Sequence, residues 1–375
     1  GALAAYRLRY KSAPAHPREV CGKDFYNAYM SDLEKLLQKG EWNVYKWLHQ
    51  PYATPEGPSG ADMWANIVEF GHLRDYMLPL LEARLIHKKA EFLHDAFASL
   101  NPFGLMAGPG TRWAVMAKEV PTLHAINAHA AANWELCPRM GYEAAASVEK
   151  ELGIKVTPII RDFTEPLHGL DEMAKGAPVF ITMYGCTLGN DINLEHVPAN
   201  FARATNHRGF FLATIDSSSG EQAAAGYQSS LYQDFQTNYW AFAKYMSGDE
   251  DFDDLAIKCR PYYAEVYDPQ GPEGVYKSVI HRHIVERDTS ISIGRKRYFL
   301  KKGMEFRIGR SQKWAPEDIR APFARAGWNE LAILREGATS AVLYAGKDTP
   351  AEWLQPVLKA LEASHDGKAI IRSSR

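Results

Sequence analysis

The chain has 375 residues, 46% hydrophobic and 23% charged, with a formal net charge of −2. This is an ordinary globular balance with room for one large or two interleaved domains, and it indicates no polyanionic partner such as nucleic acid. No run of about 18 apolar residues occurs, so no membrane span is expected. The four cysteines, Cys21, Cys137, Cys186 and Cys259, are widely spaced, which fits reduced thiols in a cytoplasmic protein and not a disulfide framework or a zinc site.

The first residues lack the apolar stretch of a secretory signal and read as a frayed start. From 17 to about 98 the pattern is helical, with Phe25, Tyr29, Met30, Leu33, Leu36 and Leu37 at three- and four-residue spacing. A turn-rich break from Gln50 to Gly60 separates this run from a second one, Met63 to Leu81. The aromatic residues here, among them Tyr26, Tyr45, Trp47, Tyr52 and Trp64, are expected to pack a core or lid. Residues 99–216 alternate strand and helix. Strands are predicted at 103–106, 122–126, 155–160, 179–183 and 210–214, and helices at 142–152 and 195–205. Such alternation argues for a parallel, doubly wound α/β sheet.

Residues 217–310 break the rhythm. A long helix is expected at 223–246, then alternating stretches at 262–267, 275–286, 290–293 and 297–300, which read as antiparallel strands of an inserted α+β domain. A helix at 316–326 and strands near 331–335 and 341–344 would complete the main sheet within 311–375.

Two segments carry the chemistry, 105–113 (LMAGPGTRW) and 179–191 (VFITMYGCTLGND). Each is an apolar strand running into a glycine turn. Gly108, Pro109 and Gly110 let a ligand approach the backbone, and Gly185 and Gly189 bracket Thr187 and Asn190, a hydroxyl and an amide suited to a polar ligand. Taken alone, the first turn is also compatible with simple packing. It is not a P-loop. His281 and His283 fall on the same side of a strand without a third metal ligand at useful spacing, and surface positions are expected for both. The basic runs at 294–297 and 301–302 read as solvated strand ends.

The order of these pieces resembles a class I S-adenosylmethionine-dependent methyltransferase. More specifically, Tyr184-Gly185-Cys186-Thr187-Leu188-Gly189-Asn190, the stretch Phe299, Gly303 and Ser311-Gln312-Lys313-Trp314, and Ala326-Gly327-Trp328 are similar to the histidine-specific Nα-methyltransferases of ergothioneine biosynthesis and their relatives that methylate a prenylated tryptophan. The resemblance spans roughly residues 90 to 345. It implies a Rossmann-like core (99–216 completed by 311–375), an N-terminal helical lid (1–98) and an inserted substrate domain (217–310). It implies S-adenosylmethionine as donor, held by Gly108, Gly110, Thr111, Tyr184 and Gly185. Asp162 beside Phe163 would face the adenine amine, and the ribose position would fall on Asn127. A small amino-acid-like substrate would be held by Asn190, Ser311 and Tyr227 (or Tyr232).

Three departures accompany the resemblance. Met106 stands where the family has an acid two residues before the first glycine. Asn127 replaces the ribose-binding acid, which weakens donor binding because an amide lacks charge assistance. The imidazole-recognising glutamate falls on Gly309 or Arg310, so histidine is not the expected substrate. The altered donor turn leaves two further readings open: attack at the donor's aminocarboxypropyl chain with release of methylthioadenosine, or a non-catalytic binding protein. Ser311 is equally compatible with a helix N-cap before Pro316.

Overall fold

The computed structural model describes residues 16–55, 57–70, 77–190, 194–267, 275–336 and 339–364. The chain divides into two compact units. The first takes the described parts of Gly1–Ile67, Ala223–Tyr263 and Val279–Ser311, and the second those of Val68–Gln222, Ala264–Ser278 and Gln312–Arg375.

The second unit is built on a seven-stranded sheet. Its strands are β1 (Phe103–Ala107), β2 (Ala130–Glu135), β3 (Val156–Ile160), β4 (Val179–Met183), β5 (Phe210–Asp216), β6 (Trp328–Glu336) and β7 (Thr339–Gly346). The spatial order is β3-β2-β1-β4-β5-β7-β6. β1 to β5 pair in parallel, and β7 runs antiparallel to both β5 and β6. β4 and β5 are buried along almost their whole length because helices cover both faces of the sheet. On one face Phe97, Val148 and Val357 pack over Met106, Phe180 and Leu212. On the other, Leu170, Phe201 and Phe323 pack over Leu105, Ile181 and Phe211. The Leu78–Phe97 helix therefore belongs to this unit.

The strand predicted at 122–126 is instead the helix Val120–Ala125, with Pro121 in its first turn. It lies directly on β1. A Cβ on Gly104 would sit 2.3 Å from the Leu123 side chain, so the glycine makes the room this helix occupies. The second strand is Ala130–Glu135.

The first unit gathers the helices Lys23–Lys39 and Ser230–Ser247 with antiparallel strands: Ile257–Cys259, the hairpin Thr289–Ile293/Lys296–Leu300, and the parts of Val275–Val285 and Glu305–Lys313 that fall within Val279–Ser311. The helix predicted at 223–246 is broken: Gly220–Ala225 ends, and Ser229 caps the next helix by accepting the Tyr232 N–H. The core is aromatic, with Tyr29 packed against Trp47, Tyr239 and Phe242. Asp32 collects the indole N–H groups of Trp42 and Trp47 at 2.9 and 3.0 Å.

Candidate functional site

β1 lies between β2 and β4, so the strand order reverses at the β1/β4 boundary. In open α/β sheets ligands bind beyond the carboxyl ends of the strands at such a reversal. Both glycine turns leave the sheet there. Gly108 and Gly110 have φ of +62° and +73°, a region side chains rarely adopt. The Cβ that Gly108 lacks would meet the Phe163 ring at 3.5 Å and the Thr187 methyl at 3.6 Å, so the turns after β1, β3 and β4 converge. Thr111 caps the helix that follows, accepting the Ala114 N–H at 3.3 Å.

Glu135 closes β2 at the same edge. Its Oε2 accepts the Gly110 N–H at 3.4 Å and its Oε1 the Cys137 N–H at 3.1 Å. Burial raises this carboxyl above its ordinary value, and the N–H groups of Cys137, Gly110 and Leu136 oppose the rise. Asn127 is at the opposite edge. It precedes β2, has φ +53°, is exposed, and directs its amide to the Ala98 carbonyl at 3.5 Å. The acid after the second strand is thus present, and the sequence reading of Asn127 in its place is corrected by the shift of β2 along the chain.

Asp162 follows β3, where its Oδ1 accepts the N–H and the hydroxyl of Thr164 at 2.9 and 2.7 Å. Asn200 fixes this loop by donating to the carbonyls of Phe163 and Glu165. Met106 is fully buried in the sheet face. Tyr184 is also committed to the interior: its hydroxyl meets that of Thr122 at 2.6 Å, and burial, then the nearby Glu119 charge, push its pKa well above the ordinary value. Only its backbone borders the turn, where its carbonyl accepts the Thr187 hydroxyl at 2.8 Å.

The second turn is left-handed at two successive residues, Gly185 (φ +72°) and Cys186 (φ +52°), and continues as a 3-10 turn over Thr187–Asn190. A Cβ on Gly189 would come within 2.9 Å of the Gln312 carbonyl oxygen, which excludes a side chain there. Asn190 ends the described part of this turn, and Asp191 lies outside the described residues. In the resembling stretch at 311–314, Lys313 forms a buried ion pair with Asp216 at 2.7 Å, and Ser217 donates to the Trp314 carbonyl.

In the first unit, residues far apart in sequence form one cluster. Ser311 lies on the strand Glu305–Lys313, which removes the helix-cap reading, and its hydroxyl meets His281 Nε2 at 2.9 Å. The Tyr227 ring stands edge-on to Tyr232, and both lie against His281. The Tyr45 and Tyr232 hydroxyls are 2.9 Å apart. His281 and His283 are fully buried, contrary to the surface positions expected. His283 accepts the Trp240 indole N–H at 2.7 Å, and burial holds its pKa down at about 3. Among the described residues no group of three or more His, Cys, Asp or Glu is arranged to hold a metal, and no helix is long and apolar enough to cross a membrane.

Comparison with solved structures finds similarity to several methyltransferases. The mitomycin 7-O-methyltransferase MmcR is 12% identical, over 92% of this chain and 76% of that one (TM-score 0.41). The glycopeptide N-methyltransferase MtfA, complexed with S-adenosylhomocysteine, is 13% identical over 79% and 99% (TM-score 0.33). An O-methyltransferase family 2 protein from Planctomyces limnophilus is 10% identical over 65% of this chain and 50% of its own length (TM-score 0.33). No curated protein matches. The model of the SAM-dependent histidine-specific methyltransferases matches residues 37–345. The chain belongs to that family, and it is a transferase whose methyl donor is S-adenosylmethionine.

Proposed function

We propose that the chain methylates the amine of a small amino acid or amino-acid-derived metabolite other than histidine, in a cytoplasmic biosynthetic setting and without a nucleic-acid partner. The observation that carries this reading is the Glu135 carboxylate at the end of β2, bonded to Gly110 of the first glycine turn. A carboxylate there accepts from the two ribose hydroxyls of the donor with charge assistance. Gly108 and Gly110 admit the donor to the backbone, Asp162 accepts from the adenine amine beside the Phe163 ring, and Gly185 borders the donor with backbone alone. Of the two departures behind the alternative readings, aminocarboxypropyl transfer and a non-catalytic protein, Glu135 answers the one at Asn127, and Met106 remains.

When bound, S-adenosylmethionine supplies a methyl group that is already an activated electrophile. The amine's lone pair forms the N–C bond as the C–S bond breaks, and the amine gives up one proton. The α-amine of a free amino acid is protonated at neutral pH, so its proton passes to solvent before attack, and the residues have mainly to desolvate and align the neutral amine. Asn190, Ser311 and Tyr227 are assigned to the substrate's polar groups.

Two features argue against histidine. A Cβ at Gly309 would already stand 3.2–3.3 Å from the Tyr45 side chain, so an imidazole-reading glutamate here would crowd that residue. Its neighbour Arg310 is paired with Glu41 at 3.0 Å. The test is calorimetry with S-adenosylmethionine and S-adenosylhomocysteine, then mass spectrometry of reactions with a panel of amino acids and derived amines. Binding, with a methylated amine and S-adenosylhomocysteine as products, is expected. Absence of binding by either ligand, or turnover of histidine above all other amines, contradicts the proposal.

A further inference from the structure

Glu82 lies on the Leu78–Phe97 helix, three and four residues before Leu85 and Ile86, and shares their fully buried face. Its Oε1 accepts the Gly185 backbone N–H at 2.8 Å and the Thr214 hydroxyl, and stands 3.9 Å from the Cys186 thiol. Its Oε2 accepts from Lys118 at 2.6 Å, in an ion pair whose side chains are 0% and 5% exposed. A buried ion pair is weak evidence for stability as such, since a well-packed apolar pair often does as well. Its presence here therefore calls for another reason.

The reason lies at the atom Oε1 reaches. Gly185 and Cys186 are both left-handed, and a non-glycine residue holds that conformation only where its surroundings over-determine it. Two bonds do so here. Glu82 takes the Gly185 N–H, and the Thr214 hydroxyl oxygen, itself bonded to Glu82, takes the Cys186 N–H at 3.4 Å. The strand that precedes the first glycine turn offers no carboxylate, because Met106 occupies that place and is fully buried.

We propose that Glu82, with Lys118 as its counter-charge, is the positioning residue that holds the Gly185–Cys186 corner left-handed and so shapes one wall of the donor site. This rests on the reading of that edge as the donor site. It assigns to a helix outside both glycine turns the acid that the first turn lacks.

The test uses the paired variant E82L/K118M, which removes the acceptor together with the charge it would otherwise strand, and E82Q/K118M, which restores an acceptor oxygen. Amide hydrogen exchange at Gly185 and Cys186 is followed without ligand, and S-adenosylhomocysteine affinity by calorimetry. E82L/K118M is expected to exchange at least tenfold faster at these two amides and to bind at least tenfold more weakly. E82Q/K118M should stay within about threefold of the unaltered protein. Adding C186G to E82L/K118M, which relieves the left-handed strain, should recover part of the affinity. Unchanged exchange in a folded E82L/K118M overturns the proposal, as does a loss of affinity that neither the glutamine nor the glycine repairs. If E82L/K118M does not fold, T214V serves, and unaltered exchange at Cys186 then overturns it. Because exchange needs no ligand, a chain that binds no S-adenosylhomocysteine would defeat the donor-site reading while exchange still decides the role of Glu82.

Discussion

The two units bury polar groups of different kinds. The sheet-bearing unit buries charge in pairs, Glu82 with Lys118 and Asp216 with Lys313, all close to the carboxyl ends of its strands. The aromatic unit buries rings and hydroxyls, as in His281 with Ser311, His283 with Trp240, and Tyr45 with Tyr232. Fixed charges and backbone dipoles suit a donor that carries a sulfonium and an amino-acid tail. Uncharged hydroxyls suit a substrate amine that has to react without its proton. The difference also predicts opposite responses to pH.

The largest effect should come from acid. Burial holds His49 at about 4 and His283 at about 3, below the ordinary 6.5. Their contribution to stability is complete above 6.5 and is lost as pH falls from there through the folded values. The aromatic unit should therefore lose several kcal/mol between pH 6.5 and 4. Tryptophan fluorescence during urea unfolding at a series of pH values measures this, and a flat profile would remove the contrast.

Next comes the donor edge. E135A withdraws two charge-assisted bonds worth about 1.5–3 kcal/mol each, so S-adenosylhomocysteine affinity should fall at least 100-fold, roughly, while E135Q loses less. N127A, at the other edge, should change it less than twofold or so.

A smaller effect of opposite sign to the histidines is expected at Glu119. Its Oε2 accepts the Thr182 hydroxyl at 2.7 Å, and burial pushes its carboxyl from 4.5 up to about 7. The folded chain then binds the extra proton between those values, so stability falls as pH rises across that window. E119Q should add up to about 3 kcal/mol at pH 8 and nothing near pH 4.5, as read from thermal unfolding. The smallest change is G309A. Its Cβ would press on Tyr45, and a cost of about 1 kcal/mol is expected without any gain of histidine methylation.

Strands β1, β3, β4 and β5 were readable because their runs are apolar and sit between turn residues. β2 was not. Ala130-Ala131-Ala132-Asn133 has little β propensity, and it forms a strand because parallel neighbours and helices cover it on both sides. The apolar 122–126 segment beside it carries the strand pattern instead, which places Asn127, and not Glu135, after the second strand. The two buried histidines are signalled in the sequence: Arg282 between them marks an alternation whose other phase faces inward. Glu82 was recoverable as well, since it falls on the helical stripe of Leu85, Ile86 and Leu93. Its link to Gly185 was not, because nothing local in a sequence joins a helix to a turn a hundred residues on.

The position of β7 bears on how the chain is made. β5 is buried on both faces, yet its outer neighbour is the strand of this sheet that comes last in chain order, after the whole inserted region. On the ribosome, the nascent sheet must wait with an apolar parallel edge open, the kind of edge that recruits other chains. Truncations ending after Ser311 would keep every residue assigned to donor or substrate and still fail, by self-association at β5.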